Sequence, residues 1–173
     1  MNRGTTPVPI IREGELDIIS HSAEQTARLG ARLGKLLRPG DVVCLAGDMG
    51  AGKTVFSAGV GRGWGATHAL TSPTYTLVHE HRRDDGAKLY HLDCYRLQNA
   101  DEADSIGIDD ILDSGSVMLI EWAERIAEIL PDEKLWIELR VIESTRRNLM
   151  LDGTGTRYET LVKEFRAQTF GVK

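Results

Sequence analysis

Residues 47 to 54 read Gly-Asp-Met-Gly-Ala-Gly-Lys-Thr, and the spacing Gly47-x-x-x-x-Gly52-Lys53-Thr54 is that of a loop built to hold phosphate. Each residue type answers a physical need. Glycines let successive backbone N–H groups turn inward around an anion, and the N-terminus of a following helix adds partial positive charge. Lys53 would neutralise the terminal phosphates and Thr54 would offer a hydroxyl to Mg2+. Gly47, Asp48, Gly50, Ala51, Gly52, Lys53, Thr54 and Val55 are therefore candidate nucleotide-binding residues, with Thr54 a candidate metal ligand. A bare glycine-rich turn has the same composition, so the flanking elements must decide between the two readings.

Those elements agree with the first. The run DVVCLAG (41–47) is continuously apolar, as a buried strand is, and KTVFSAGVGRGWG (53–65) reads as a helix despite its glycines. Upstream, ELDIIS (15–20) is a short strand. SAEQ (22–25) has the form of a capping box, opening a helix that carries Ala27, Leu29, Leu33, Leu36 and Leu37 and stops at Pro39-Gly40. Downstream, 71–81 and 87–97 flank the turn signal RRDDG as a hairpin. An acidic helical patch (101–113), an apolar strand (116–122) and a short helix ending at 130–131 follow. The segments 134–143 and 146–153 read as an antiparallel pair, and a terminal helix is expected from about Tyr158. This order predicts an α/β fold: a single phosphate-binding-loop (P-loop) NTPase-like domain, with a mixed parallel and antiparallel sheet and helices on both faces. The domain is expected over 15–168, between a flexible N-terminus (1–14) and a C-terminal tail (169–173).

A P-loop needs an acidic companion for its metal. Two apolar strands end in carboxylates, VMLIE at Glu121 and LYHLD at Asp93, and either could hold Mg2+ or orient a water beside the phosphates. Glu121 is the favoured ligand. Asp93 sits in HLDCYR, where His91, Asp93 and Tyr95 share one strand face, so a purely structural polar cluster competes with the functional reading.

Composition narrows the function classes. At 173 residues, 41% hydrophobic and 27% charged, the chain suits one soluble domain with a sizeable core. A net charge of −5 repels phosphate backbones, so nucleic acid is not expected as a direct, unaided partner. Cys44 and Cys94 lack metal-type spacing, the N-terminus lacks a secretory apolar core, and no window approaches membrane-spanning length. A cytoplasmic location with no membrane association follows as an expectation.

The motifs GDMGAGKTVF, TSPTYTLV, LYHLDCYRL, DEADSIGIDD and IEWAERI with its later LP, in this order and with these gaps, resemble the TsaE (YjeE) family of small bacterial ATPases over about residues 15 to 150. The resemblance implies ATP/ADP and Mg2+ as cofactors, and slow hydrolysis by the isolated domain. It also implies joint action with TsaD and TsaB proteins in the threonylcarbamoyl modification of adenosine in tRNA, with tRNA met only indirectly through the complex. Carried across, it places Gly50 through Thr54 around the phosphates, Thr54 and Glu121 on Mg2+, Asp93 near the γ-phosphate, and Ser72, Thr74 and Thr76 in a switch-like segment. Ser22 and Ala23 would lie near the adenine, with Arg147 closing that side. Lys53, Asp93 and Glu121 are thus the expected catalytic residues. Met49, Val55, Leu92 and Cys94 depart from the residues usual in the family, but no charge or ligand is lost.

The other conspicuous residues have blander readings. Trp64 and Trp136 are expected in core or rim packing, while Trp122, beside Glu121, either packs under the metal ligand or belongs to a partner surface. Arg82-Arg83 and Arg146-Arg147 fit solvated turn tips. A small-molecule kinase on the same scaffold is the alternative function. It would need a second substrate pocket and a cationic lid, and the segments after the P-loop helix supply a hairpin and sheet instead.

Overall fold

Five consecutive apolar residues fit a central strand covered on both faces, and Val42–Ala46 (β2), buried throughout, is one. Its parallel neighbours are Val117–Glu121 (β5), equally buried, and Lys134–Val141 (β6). The computed structural model describes residues 12–71 and 77–171. The expected switch residues Ser72, Thr74 and Thr76 lie outside that set, as do residues 1–11 and 172–173 of the expected terminal segments.

The sheet has seven strands in the order β1-β7-β6-β2-β5-β4-β3, with Glu15–Ser20 as β1, Val78–Arg82 as β3, Lys88–Asp93 as β4 and Arg147–Thr154 as β7. Its centre is parallel and both flanks are antiparallel, the mixed sheet expected from the alternating segments. On one face lie Ala23–Leu36 (α1), Lys53–Trp64 (α2) and Thr156–Phe170 (α5), packed on inward residues such as Val43, Leu45, Leu119 and Leu149. The other face carries the short helices Asp101–Asp104 (α3) and Ile108–Asp113 (α4) and two 3-10 turns, packed on Val42, Cys44, Leu92, Met118 and Ile120. No helix among the described residues is long and apolar enough to cross a membrane.

Several elements differ in detail from expectation. The acidic patch divides into two helices because Gly107 adopts a left-handed φ of 71°. The short helix before Pro131 is two 3-10 turns, Ala123–Arg125 and Ala127–Ile129. The terminal helix begins two residues before Tyr158 and runs to Phe170, past residue 168. At α1, Ser22 Oγ accepts from the Gln25 N–H at 3.1 Å, while Gln25 Oε1 accepts from the His21 N–H at 2.8 Å, so the reciprocal bond of the capping box is displaced by one residue.

The glycines of α2 have a packing reason. A Cβ on Gly59 would stand 2.1 Å from the Ala27 carbonyl oxygen and one on Gly63 would stand 1.9 Å from that of Ala31. From the other side, a Cβ on Gly34 would stand 2.1 Å from the Val60 carbonyl oxygen. The two helices meet backbone to backbone, and hydrogen takes the place of a side chain at each crossing point. The propensity cost of glycine in a helix, about 1 kcal/mol each, is accepted in return for this close approach.

Gly34→Ala should therefore separate α1 from α2 and destabilise the fold by about 1–3 kcal/mol, as overpacking does, despite the better helix propensity of alanine. Urea unfolding would register this as a lower midpoint; an unchanged or higher midpoint would show that the helices can part at no cost.

Candidate functional site: a glycine loop between two cavities

Strand β2 delivers the chain to the sheet's carboxyl edge, where Gly47, Gly50 and Gly52 all take positive φ (135°, 78° and 103°) before α2 begins at Lys53. At Gly47 the reason is steric as well: a Cβ there would meet the Leu139 carbonyl oxygen at 2.2 Å. Gly50 faces open space, and a Cβ there would find nothing within 4 Å, so the loop's outer rim is free to approach a ligand closely. The first turn of α2 carries no acidic residue of its own to offset the helix dipole.

Strands β4 and β5 bring the two expected carboxylates side by side, since Asp93 and Glu121 are register partners at the ends of parallel neighbours. Glu121 is almost wholly buried, at 2% exposed, and each of its carboxylate oxygens has a donor: Oε2 accepts from the Thr54 hydroxyl at 3.2 Å and Oε1 from His91 Nε2 at 2.9 Å. An ionised carboxylate has no proton to give, so the imidazole N–H is the donor. Burial pushes the Glu121 carboxyl upward. The His91 hydrogen bond and charge, with the neighbouring Ser57 and Thr54 hydroxyls, outweigh burial and hold it below the ordinary glutamate range. Asp93 Oδ1 accepts from the Tyr95 N–H at 3.0 Å, which shapes the turn leaving β4.

Lys53 rests on the loop it belongs to. Its ammonium donates to the carbonyl oxygens of Gly47 and of Asp48, the latter at 2.9 Å, and lies 3.9 Å from the centre of the Trp122 ring. Desolvation lowers its pKa, against the opposing influence of Glu124, Glu121, Asp93 and Asp48. Trp122 itself adopts φ 57°, the one positive φ outside glycine among the described residues, and its ring packs 4.9 Å from that of Tyr95. Left-handed backbone at such a residue costs roughly 1–2 kcal/mol and is held by its surroundings, a pattern common at functional sites.

Two cavities open on either side of the loop. One, of about 390 Å3, is lined by Lys53, Thr54, Val55, Asp93, Glu121 and Trp122, among others, and the second, of about 360 Å3, by Ser22, Ala23, Thr26 and Arg147. Gly50, Gly52 and Val55 border both, so the loop is the wall between them. Gly47, Asp48 and Ala51 line neither; Ala51 is fully buried and Asp48 offers its carbonyl to Lys53. Arg147 is not a solvated tip: it donates to the Glu143 and Gly50 carbonyls at 2.8 and 3.2 Å, tying the β6–β7 turn to the P-loop. Met49 and Tyr95 at the mouth of the first cavity, and Ser144 and Thr145 in the second, are not among the expected site residues. Met49 is there because it belongs to the loop itself, whereas Tyr95, Ser144 and Thr145 come from turns elsewhere in the chain, which sequence periodicity does not register. Strand alternation groups His91 with Asp93 on one face, but nothing local shows that its partner is Glu121, thirty residues on.

A hydroxyl and a carboxylate in contact at the start of the loop helix are hard oxygen donors suited to Mg2+, which commonly takes one or two protein carboxylates and completes its shell with phosphate and water. Among the described residues no three His, Cys, Asp or Glu side chains converge on a common metal position. The donor set fits a cation shared with a phosphate ligand.

Residues 20–149, spanning this whole constellation, match the family described as Threonylcarbamoyl adenosine biosynthesis protein TsaE. The chain belongs to the TsaE family. A relative from Bacillus subtilis (strain 168), named tRNA threonylcarbamoyladenosine biosynthesis protein TsaE, is 38% identical over 141 residues, covering 82% of this chain and 87% of the relative. One from Treponema pallidum (strain Nichols) with the same name is 40% identical over 131 residues, covering 76% and 96%. The crystal structure of Bacillus subtilis YdiB superposes with a TM-score of 0.74 at 33% identity, over 90% of this chain and 96% of that one. TsaE membership places the chain in threonylcarbamoyl adenosine biosynthesis, in keeping with the main expectation and not with the small-molecule kinase.

The depressed pKa of Glu121 has a stability consequence. A carboxyl lowered on folding stabilises the native state above its unfolded value, about 4.3, and that contribution is lost as pH falls through the lower folded value. Between about pH 6 and about pH 3, the urea midpoint of Glu121→Gln should fall less steeply than that of the wild type. Parallel curves would mean that Glu121 binds its proton equally well folded and unfolded.

Proposed function

We propose that this TsaE protein binds ATP with Mg2+ at the P-loop and hydrolyses it slowly, as the nucleotide-driven accessory component of threonylcarbamoyladenosine formation in tRNA, working with TsaD and TsaB proteins in the cytoplasm. The observation that carries the reading is the contact of the Thr54 hydroxyl with Glu121 Oε2 at 3.2 Å, directly under a loop whose glycines open it to an anion. A hydroxyl-carboxylate pair at that position has its use in holding a cation against a phosphate.

The chain's own groups divide the work. Loop N–H groups and the start of α2 receive the phosphates, and Lys53 exchanges its contacts with the Gly47 and Asp48 carbonyls for phosphate oxygens, moving off the Trp122 ring. Thr54 and Glu121 would hold Mg2+, which supplies charge neutralisation between the terminal phosphates. Asp93, register partner of Glu121 at the strand end, would orient an attacking water. Ser22, Ala23 and Arg147 border the cavity on the opposite side of the loop, where the adenosine would extend.

Charge supports the proposed reliance on partners. Among the described residues lining the phosphate cavity Lys53 is the one cation, facing the carboxylates of Asp93 and Glu121. Phosphoryl transfer to water gains its largest acceleration from a further cation at the transferred group, which P-loop enzymes often take from a second protein. The isolated chain is therefore a slow catalyst that a docked partner completes. The −5 net charge supports contact with tRNA through that assembly rather than directly.

Lys53→Ala should weaken ATP binding roughly ten- to a hundred-fold, since a charge-assisted bond worth about 1.5–3 kcal/mol is lost, with the far-UV circular dichroism unchanged. Wild-type affinity in a folded Lys53→Ala protein would remove the P-loop assignment.

For the assembly, phosphate release from γ-labelled ATP is the decisive measurement. The chain alone should turn over slowly, TsaD and TsaB together should raise the rate, and Glu121→Gln should abolish the increase while still binding nucleotide. A rate indifferent to both partners, or label transferred to a small metabolite, would overturn the proposed role.

A further inference from the structure

Glutamate at a strand end has three side-chain torsions, and a carboxylate free to rotate about the last of them presents its oxygens interchangeably. Glu121 does not have that freedom. Its Oε1 is engaged by His91 Nε2 at 2.9 Å, which leaves Oε2 as the oxygen facing the Thr54 hydroxyl at 3.2 Å. His91 is itself immobilised: it is 0% exposed, and its strand pairs with β3 on one side and β5 on the other. It pairs in register with Leu119, two residues before Glu121, so imidazole and carboxylate project from the same face of the sheet toward α2. The same strand carries Asp93 two residues later, so β4 supplies both the clamp on one carboxylate and the second carboxylate beside it.

We propose that His91 is a positioning residue, holding Glu121 in the orientation that presents Oε2 and the Thr54 hydroxyl together to the cation that accompanies a bound nucleotide. The proposal rests on the nucleotide reading above and extends it to a group that touches neither nucleotide nor metal. Hydrogen-bond partners behind a metal ligand fix its direction, and their removal commonly lowers metal affinity ten- to a hundred-fold. A packing role alone would give a different result, because filling the space of the imidazole with an apolar side chain would preserve it.

The test measures binding rather than turnover. ATP affinity is determined by calorimetry in EDTA and again with Mg2+, and the ratio gives the cation's contribution. The wild type should show a clear gain with Mg2+. His91→Leu should bind ATP as the wild type does in EDTA but lose roughly ten- to a hundred-fold of the Mg2+ gain, and His91→Gln, which keeps an N–H donor of similar reach, should recover most of it. In a Glu121→Gln background the His91→Leu change should have no further effect on the gain, because the two act through one carboxylate. Should His91→Leu not fold, His91→Asn takes its place, since its shorter amide cannot span the distance to Oε1, and the same loss is expected. A folded His91→Leu or His91→Asn protein with the full wild-type Mg2+ gain overturns the positioning role while leaving the nucleotide reading intact. Absence of ATP binding by the wild type overturns both.

Discussion

A buried carboxylate stays ionised only where donors reach it, and Glu121 is the point at which this demand organises the molecule. Its donors come from two separate elements: His91 from the neighbouring strand β4 and Thr54 from the first turn of α2. Satisfying the carboxylate therefore fixes β4 against β5 and the start of α2 over the sheet's carboxyl edge. Those are the same relations that set Asp93 beside Glu121 and Lys53 beside both. Site geometry and fold geometry are in this sense one set of contacts.

The P-loop's resting arrangement follows from what lies around it. Lys53 is a cation in a low-dielectric wall, and its ammonium is accommodated by two backbone carbonyls and the face of Trp122. These contacts keep the charge solvated by protein, so that a phosphate bound as proposed would compete with neutral carbonyls and a ring face. Trp122 turns left-handed immediately after Glu121, and in that conformation its indole lies against the Lys53 ammonium.

Support for the loop comes from behind. Helices α1 and α2 approach at glycine positions on both, which seats the helix that follows the glycine loop deeply against the first helix and the sheet. At the loop's far side Arg147 directs its guanidinium to the carbonyls of the β6–β7 turn and of Gly50, joining the wall of the second cavity to the glycine loop. The two cavities are thereby held at a fixed relation to each other across a shared rim of Gly50, Gly52 and Val55.

Local sequence determined whatever depends on neighbours in the chain. The uninterrupted apolar runs specify β2 and β5 as buried central strands, Ser22 and Gln25 specify the start of α1, and the spacing from Gly47 to Thr54 specifies an anion-binding turn, because each is a matter of periodicity, capping or φ within a few residues. The strand-end carboxylates were legible too, since a charge closing an apolar strand must lie at the sheet's edge. Tertiary structure alone decided the rest. That His91 clamps Glu121, that Arg147 reaches Gly50, and that the glycines of α2 serve a helix crossing rather than flexibility all depend on contacts between residues far apart in the chain. So does the pairing of Lys53 with Trp122. A single sequence records which groups a residue can bond, but which group it meets is set by how strands are ordered in the sheet and how helices pack on it, and neither is a property of any short stretch.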